Sequence, residues 1–331
     1  MKNKNAMRNE NAKSIPNSKF LIPNSCRARV RVPGTSANCG PGFDCLGLAT
    51  TIYNYLDLTL IRSGKVIVES KGEGSENIPR GRRNLTWQAV SRLLKEVGRA
   101  DEFKGAIIRM KNNVPISRGL GSSSTAIVAG LVAANEIVGS PLNRQELLKL
   151  ATELEGHPDN VAPALFGGFT VSVMDKGEVQ TFSFQPRIKL KLIVAVPDFE
   201  LSTRLARKVL PRNVSMKDAI FNVSRASMLI AALVEGREDL LPLAFDDALH
   251  QPYRKKLVPG MSEVFEAAKS AGALGAAISG AGSCLIAFTS ARSHLEDKIS
   301  AAMIDAFGSA GVKSKALILD VDRRGAQVLR I

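Results

Sequence analysis

The chain has little cysteine, few aromatic rings and few histidines. Its four cysteines, Cys26, Cys39, Cys45 and Cys284, form no CxxC pair, and Cys39 and Cys45 have no histidine beside them. That spacing argues against a zinc site. So low a count fits reduced thiols in the cytoplasm, which is the location expected here. One Trp and three Tyr leave few stacking groups among the cations, which disfavours a nucleic-acid surface built on stacked bases. No apolar run reaches the roughly 18 residues a membrane helix needs, because the longest candidate, Thr125 to Val138, is broken by Asn135 and Glu136. Neither a membrane nor a nucleic-acid partner is expected.

Positive charge is abundant: 45 Lys and Arg face 31 Asp and Glu, a net charge of +14 over 331 residues. Part of it lies in residues 1–24, where Lys2, Lys4, Arg8, Lys13 and Lys19 face the single acid Glu10. This Asn-, Ser- and Lys-rich stretch reads as a disordered basic extension. It lacks the apolar core of a secretory signal. A second cluster, Arg80, Arg82 and Arg83, sits in a glycine–proline loop. Anionic small substrates explain a basic protein as well as nucleic acid does.

Hydrophobic periodicity gives a mixed α+β chain. Strands are expected at 27–32, 50–61, 65–69, 106–110, 169–174, 179–184, 190–196, 276–278, 285–288, 316–320 and 327–331. Helices are expected at 85–97, 126–138, 141–155, 215–235, 238–249, 261–271 and 295–307, and residues 33–47 read as loop. The break at Gln185-Pro186-Arg187 separates two domains, 25–187 and 188–331.

The densest signal is the run Pro115, Ile116, Ser117, Arg118, Gly119, Leu120, Gly121, Ser122, Ser123, Ser124 and Thr125, ahead of an apolar helix. Glycines let an anion approach the backbone. The serines fall where the helix N-cap would be, among free N–H groups at the positive end of the dipole. A phosphate site follows, although no lysine follows either glycine, as the common phosphate loop requires. The plain alternative is a glycine turn before a serine-capped core helix. Three other segments bear on the choice. Val32 to Leu48, containing SANCGPGFDCLGLA, presents Asn38 and Asp44. Glu153 to Val161, within EGHPDNVAPALFGGF, is rich in carboxylates and amides of the kind that suit Mg2+. Ala277 to Cys284 is a second glycine turn.

Together these four segments resemble the GHMP kinases, and the second and third strings are similar to the pattern of the homoserine kinase branch. The resemblance runs from about residue 27 to the C-terminus. It implies a two-domain GHMP kinase fold: a ribosomal protein S5 domain 2-like N-terminal domain, which binds ATP, and a ferredoxin-like C-terminal domain. It also implies a homodimer using ATP and Mg2+ to phosphorylate the side-chain hydroxyl of L-homoserine, in threonine biosynthesis. By position, residues 115–125 would wrap the ATP phosphates, and Asn84 would contact adenine. Ser123 and Glu155 would hold the metal. Asn38, Asp44, His157, Asn160, Arg207 and Arg254 would hold the substrate, with Thr203 near the γ-phosphate. Asn160 and Thr203 are the catalytic candidates; Asn160 would orient the hydroxyl without taking its proton, and Asp159 is the rival as base. The chain departs from the pattern in two places. His157 follows Gly156 directly, which leaves Glu153 as a rival to Glu155, and Ser283 stands where proline is frequent. Two alternatives stay open: another GHMP acceptor of the mevalonate or sugar type, and an RNA-binding protein on the same N-terminal fold.

Overall fold

The computed structural model describes residues 26–330, so the basic extension at 1–24 lies outside the described residues. The first half runs β1 (Arg27–Ala37), β2 (Leu46–Ile61), β3 (Val66–Gly72), α1 (Leu85–Glu96), β4 (Gly105–Asn112), α2 (Ser122–Ile137), α3 (Arg144–Glu155), α4 (Pro158–Phe166), β5 (Phe169–Asp175) and β6 (Glu178–Phe184). The second half runs β7 (Leu190–Pro197), α5 (Thr203–Lys208), α6 (Met216–Glu235), α7 (Gln251–Arg254), α8 (Met261–Ser270), β8 (Gly275–Ile278), β9 (Leu285–Ser290), α9 (Glu296–Ser309), β10 (Ser314–Asp320) and β11 (Gln327–Leu329).

The first sheet has the order β11-β1-β2-β4-β3, with β5 added to the start of β2 and β6 added to β5. Only β3 and β4 pair in parallel, as expected for two strands joined across a helix, here α1. In β1 the side chains of Ala28, Val30 and Val32 enter the core and the arginines between them point out. The second sheet is antiparallel with the order β10-β7-β9-β8. The last strand returns to pair with β1, so the chain's C-terminal segment belongs to the first sheet although it follows the second.

Three apolar cores form. One lies beneath α1–α4 on the first sheet, and another beneath α8 and α9 on the second. The third joins the halves. It brings Leu46, Leu48, Val114 and Leu120 together with Leu192, Val194, Leu229, Phe245 and Phe288. Each such Leu or Phe contributes about 1.5–3 kcal/mol through apolar surface removed from water, so this seam holds the two sheets as one body.

Several local expectations are corrected. The loop expected at 33–47 begins as strand: β1 runs on to Ala37 across an irregularity between Pro33 and Thr35. The helix expected at 126–138 starts at Ser122, with Gly121 at the cap position. The helix expected at 238–249 is a 3-10 turn over Glu238–Leu243. Helices α4, α5 and α7 had no counterpart in the periodicity.

Candidate active site

The glycine–serine loop meets three other segments at the N-terminus of α2. Gly119 and Gly121 adopt φ of 80° and 66°, a region that side-chain-bearing residues rarely enter. Space excludes a side chain as well. A Cβ on Gly119 would lie 2.0 Å from the Ser279 carbonyl, and one on Gly121 would lie 2.0 Å from Thr35 Oγ1. The second glycine turn pins the loop. Ser279 Oγ donates to the Gly119 carbonyl at 2.7 Å and shares a 2.9 Å hydrogen bond with Ser36 Oγ. Cys284 N–H donates to the Arg118 carbonyl at 3.1 Å, and Thr35 N–H to the Leu120 carbonyl at 3.0 Å. Ser122, Ser123 and Ser124 therefore occupy the first three helical positions, where backbone N–H groups have no helical acceptor. Arg118 turns aside and donates to the Pro197 carbonyl.

Glu155 closes the loop from the C-terminal end of α3. Its Oε1 accepts from Ser123 Oγ at 2.8 Å and from Ser124 Oγ at 2.9 Å. Glu153 instead faces outward and pairs with Arg92 at 2.9 Å. A hydroxyl and a carboxylate thus converge as hard oxygen donors. Among the described residues, no group of three or more His, Cys, Asp or Glu side chains is placed to hold a metal ion.

Helix α4 adds the next group. His157 is its N-cap, Pro158 its first residue, and Asp159 and Asn160 follow in the first turn. Proline fits the first turn because its missing N–H would have no partner there. His157 Nδ1 hydrogen-bonds Asp159, whose side chain is buried. Burial lowers the His157 pKa, but the bond to Asp159 and the charges of Asp159, Glu155 and Asp44 outweigh it, and the net direction is upward. Thr35 Oγ1 donates to Asn160 Oδ1 at 2.7 Å. Asn160 lines the cavity, and its Nδ2 makes no hydrogen bond within the described residues.

Two arginines also line the cavity. Arg207, on α5, makes a two-pronged pair with Asp44 at 2.8 and 3.0 Å. That bond and the charge of Asp44 raise the arginine's pKa against its partial burial. Arg254, at the end of α7, is buried, and its pKa is pushed down to about 10 by burial and by the neighbouring Arg207. It therefore stays charged at neutral pH. Its Nε donates to the Ala206 carbonyl at 3.3 Å and its Nη1 to the Gly280 carbonyl at 3.0 Å. The same Gly280 carbonyl accepts from Asn38 Nδ2 at 2.8 Å, and Asn38 Oδ1 accepts from Asp44 N–H at 3.0 Å. Both ends of the Asn38 amide thus brace the turn that carries Asp44.

A cavity of about 450 Å3 unites these groups. Its wall contains Asn38, Asp44, Asn84, residues 116–123, Glu155, His157, Asn160, Thr203, Arg207 and Arg254. Pro115, Ser124 and Thr125 stand behind the wall; Thr125 Oγ1 accepts from Asn54. Asn84 is engaged as the N-cap of α1. Its Oδ1 accepts from Thr86 and Trp87 N–H, and its Nδ2 donates to the Pro79 carbonyl at 3.0 Å. Thr35, Phe43 and His250 were missed as site residues, although Thr35 and Phe43 lie within the Val32 to Leu48 segment and His250 stands four residues before Arg254.

The chain matches the model of the GHMP kinases N-terminal domain over residues 84–168 and that of the GHMP kinases C-terminal domain over residues 229–307. It is 42% identical to a homoserine kinase of Desulfitobacterium hafniense and 44% identical to one of Moorella thermoacetica. Each alignment spans 91% of this chain and 99% of the relative. The structure superposes on a homoserine kinase from Cytophaga hutchinsonii with a TM-score of 0.84 at 29% identity, covering 94% of this chain and all of that one. A putative homoserine kinase from Listeria monocytogenes gives 0.73 at 32%, covering 92% and 99%. A mevalonate kinase from Methanococcus jannaschii, at 14% identity and a TM-score of 0.65 over 90% of this chain and 99% of its own, shares the fold. The two-domain fold is that of this superfamily, with a ribosomal protein S5 domain 2-like first half and a ferredoxin-like second half. The chain belongs to the homoserine kinase family of the GHMP kinases.

Proposed function

We propose that this cavity transfers the γ-phosphoryl group of ATP to the side-chain hydroxyl of L-homoserine, giving O-phospho-L-homoserine and ADP in threonine biosynthesis. One observation carries the acceptor assignment. Two arginines and a carboxylate, Arg207, Arg254 and Asp44, line the cavity together with the glycine–serine loop. A guanidinium matches a carboxylate in geometry and charge, and Asp44 complements an ammonium. Such a set suits a zwitterionic amino acid better than mevalonate or a sugar.

The phosphates would lie on the unpaired N–H groups at the start of α2, where the helix dipole favours an anion. Ser123 and Glu155 fit Mg2+, whose usual partners are one or two carboxylates together with phosphate oxygens. Bound there, the ion would neutralise charge on the phosphates. In the reaction the homoserine oxygen bonds to the γ-phosphorus as the bond to the β–γ bridging oxygen breaks. Catalysis of this kind rests on positioning and charge stabilisation. Asn160 orients the hydroxyl through its amide, which cannot take up a proton at neutral pH. The proton leaves to phosphate or solvent. Thr203, in the first turn of α5, faces the moving phosphoryl group.

A panel of alcohols with ATP and Mg2+, read as ADP release, tests the assignment. Homoserine is expected to exceed mevalonate, galactose and water. Equal release with all of them removes homoserine as the acceptor.

A further inference from the structure

His250 precedes α7 and has no exposed surface. Its Nδ1 lies 3.2 Å from Arg254 Nη1, and its Nε2 lies 2.7 Å from the Gly40 carbonyl. A guanidinium can only donate, so Nδ1 is the acceptor and the ring proton sits on Nε2, donated to Gly40. The ring stacks on Phe43, with centroids 5.2 Å and planes 28° apart. Arg254 and Arg207 lie over the same phenyl ring at 5.3 and 5.6 Å. The imidazole therefore sits between the arginine expected to hold a carboxylate and the turn carrying Phe43 and Asp44.

Three acceptors hold Arg254: His250 Nδ1, Gly280 O and Ala206 O. They engage Nε and Nη1, and Nη2 makes no hydrogen bond within the described residues, in a side chain that lines the cavity. Only the histidine can lose its acceptor role without a change in the backbone.

We infer that His250 is a positioning residue for acceptor recognition: as the neutral Nε2–H tautomer it aims Arg254 at the acceptor's carboxylate and ties that arginine to the Gly40–Asp44 turn. Burial and the charge of Arg254 hold the ring below the usual imidazole range, against Asp247 and Asp44, which act the other way. Asp247 faces the ring 3.6 Å from Nε2 and accepts from the backbone N–H groups of Leu249, His250 and Gln251. Protonation of Nδ1 would set an N–H against a guanidinium N–H and break the link.

The inference rests on the proposal that the acceptor carries a carboxylate. Three variants test it: His250→Leu removes both bonds, His250→Asn keeps an acceptor near Nδ1, and His250→Gln keeps a donor near Nε2. Each is assayed for KM and kcat with L-homoserine, with ATP, and with 3-aminopropan-1-ol, the same amino alcohol without its carboxylate. His250→Leu is expected to raise the homoserine KM about tenfold, the loss that follows when one charge-assisted hydrogen bond is no longer aimed. The ATP KM should stay unchanged, and the preference for homoserine over the carboxylate-free alcohol should fall by the same factor. His250→Asn should recover most of that preference and His250→Gln little of it. An unchanged preference in His250→Leu overturns the inference. If that variant does not fold, equal values for the Asn and Gln variants overturn it. Absence of homoserine turnover in the unsubstituted protein instead overturns the acceptor assignment, and this inference with it.

Discussion

Glu155 holds two serine hydroxyls on a single carboxylate oxygen. In the proposed reaction its other oxygen and the Ser123 hydroxyl would serve a cation beside the phosphates. Glu155→Gln keeps the shape and removes the charge. It is expected to lower kcat/KM about 100-fold, in line with the loss of several kcal/mol of charge stabilisation when a metal is held poorly, and to raise the Mg2+ concentration needed for half-maximal rate. A magnesium titration of both proteins checks this. Asp159 and His157 give a second residue-scale prediction. If Asp159 orients His157 and takes no proton, Asp159→Asn should reduce kcat by less than about tenfold, whereas a lost base costs several decades. The same variant should alter the pH dependence of stability. His157 is raised above the ordinary imidazole value of 6.5, so its contribution to stability is complete below that value and is lost as pH rises through the folded-state value. The melting-temperature deficit of Asp159→Asn should therefore be larger below the ordinary imidazole value than at alkaline pH. Equal deficits at both would show that the pair does not titrate with folding.

Helices and strands place these residues, and α4 and the end of β1 were hidden for local reasons. α4 did not show in the periodicity because Pro158, Pro163 and Gly167 read as loop residues. Proline suits the first turn, and the second proline, Pro163, falls inside the helix, where it forgoes its own N–H bond and crowds the carbonyl four residues earlier. The strand past Pro33 was hidden in the same way, since an irregularity in register lets β1 continue to Ala37. Asn84 shows the converse. A residue that the family resemblance places at adenine is also the N-cap of α1, with its amide occupied on both sides. Asn84→Ala is expected to lower stability by about 1 kcal/mol through loss of that cap. Urea unfolding of both proteins would measure it, and no change would mean that the cap contributes nothing.

At the scale of the whole molecule, the site exists because the two halves close on each other. The glycine–serine loop comes from the first half and the turn that pins it, Ser279 to Gly282, comes from the second. The shared apolar core beneath them fixes that meeting. Ser279→Ala removes the bond to Gly119 while leaving the core intact. It should raise the ATP KM about fivefold, as expected for one hydrogen bond of roughly 1 kcal/mol, and leave the homoserine KM at saturating ATP nearly unchanged. An equal rise in both would show that the seam positions the whole cavity rather than the phosphate loop.

The order of strands and helices, the helix start rich in small residues at 121–125 and the four motif strings are properties of local sequence. Periodicity and turn chemistry act over a few residues, and short strings carry them whole. The hydrogen-bond partners that arm the site are not local. Thr35 with Asn160 is 125 residues apart, Asp44 with Arg207 163, and Asn38 with Gly280 242. No pattern along the chain reports that the side-chain oxygen of Asn160 is already taken, or that His250 lies beside Arg254. Those facts depend on two sheets packing across one apolar seam, and burial there decides which polar groups pair with each other and which remain for a ligand.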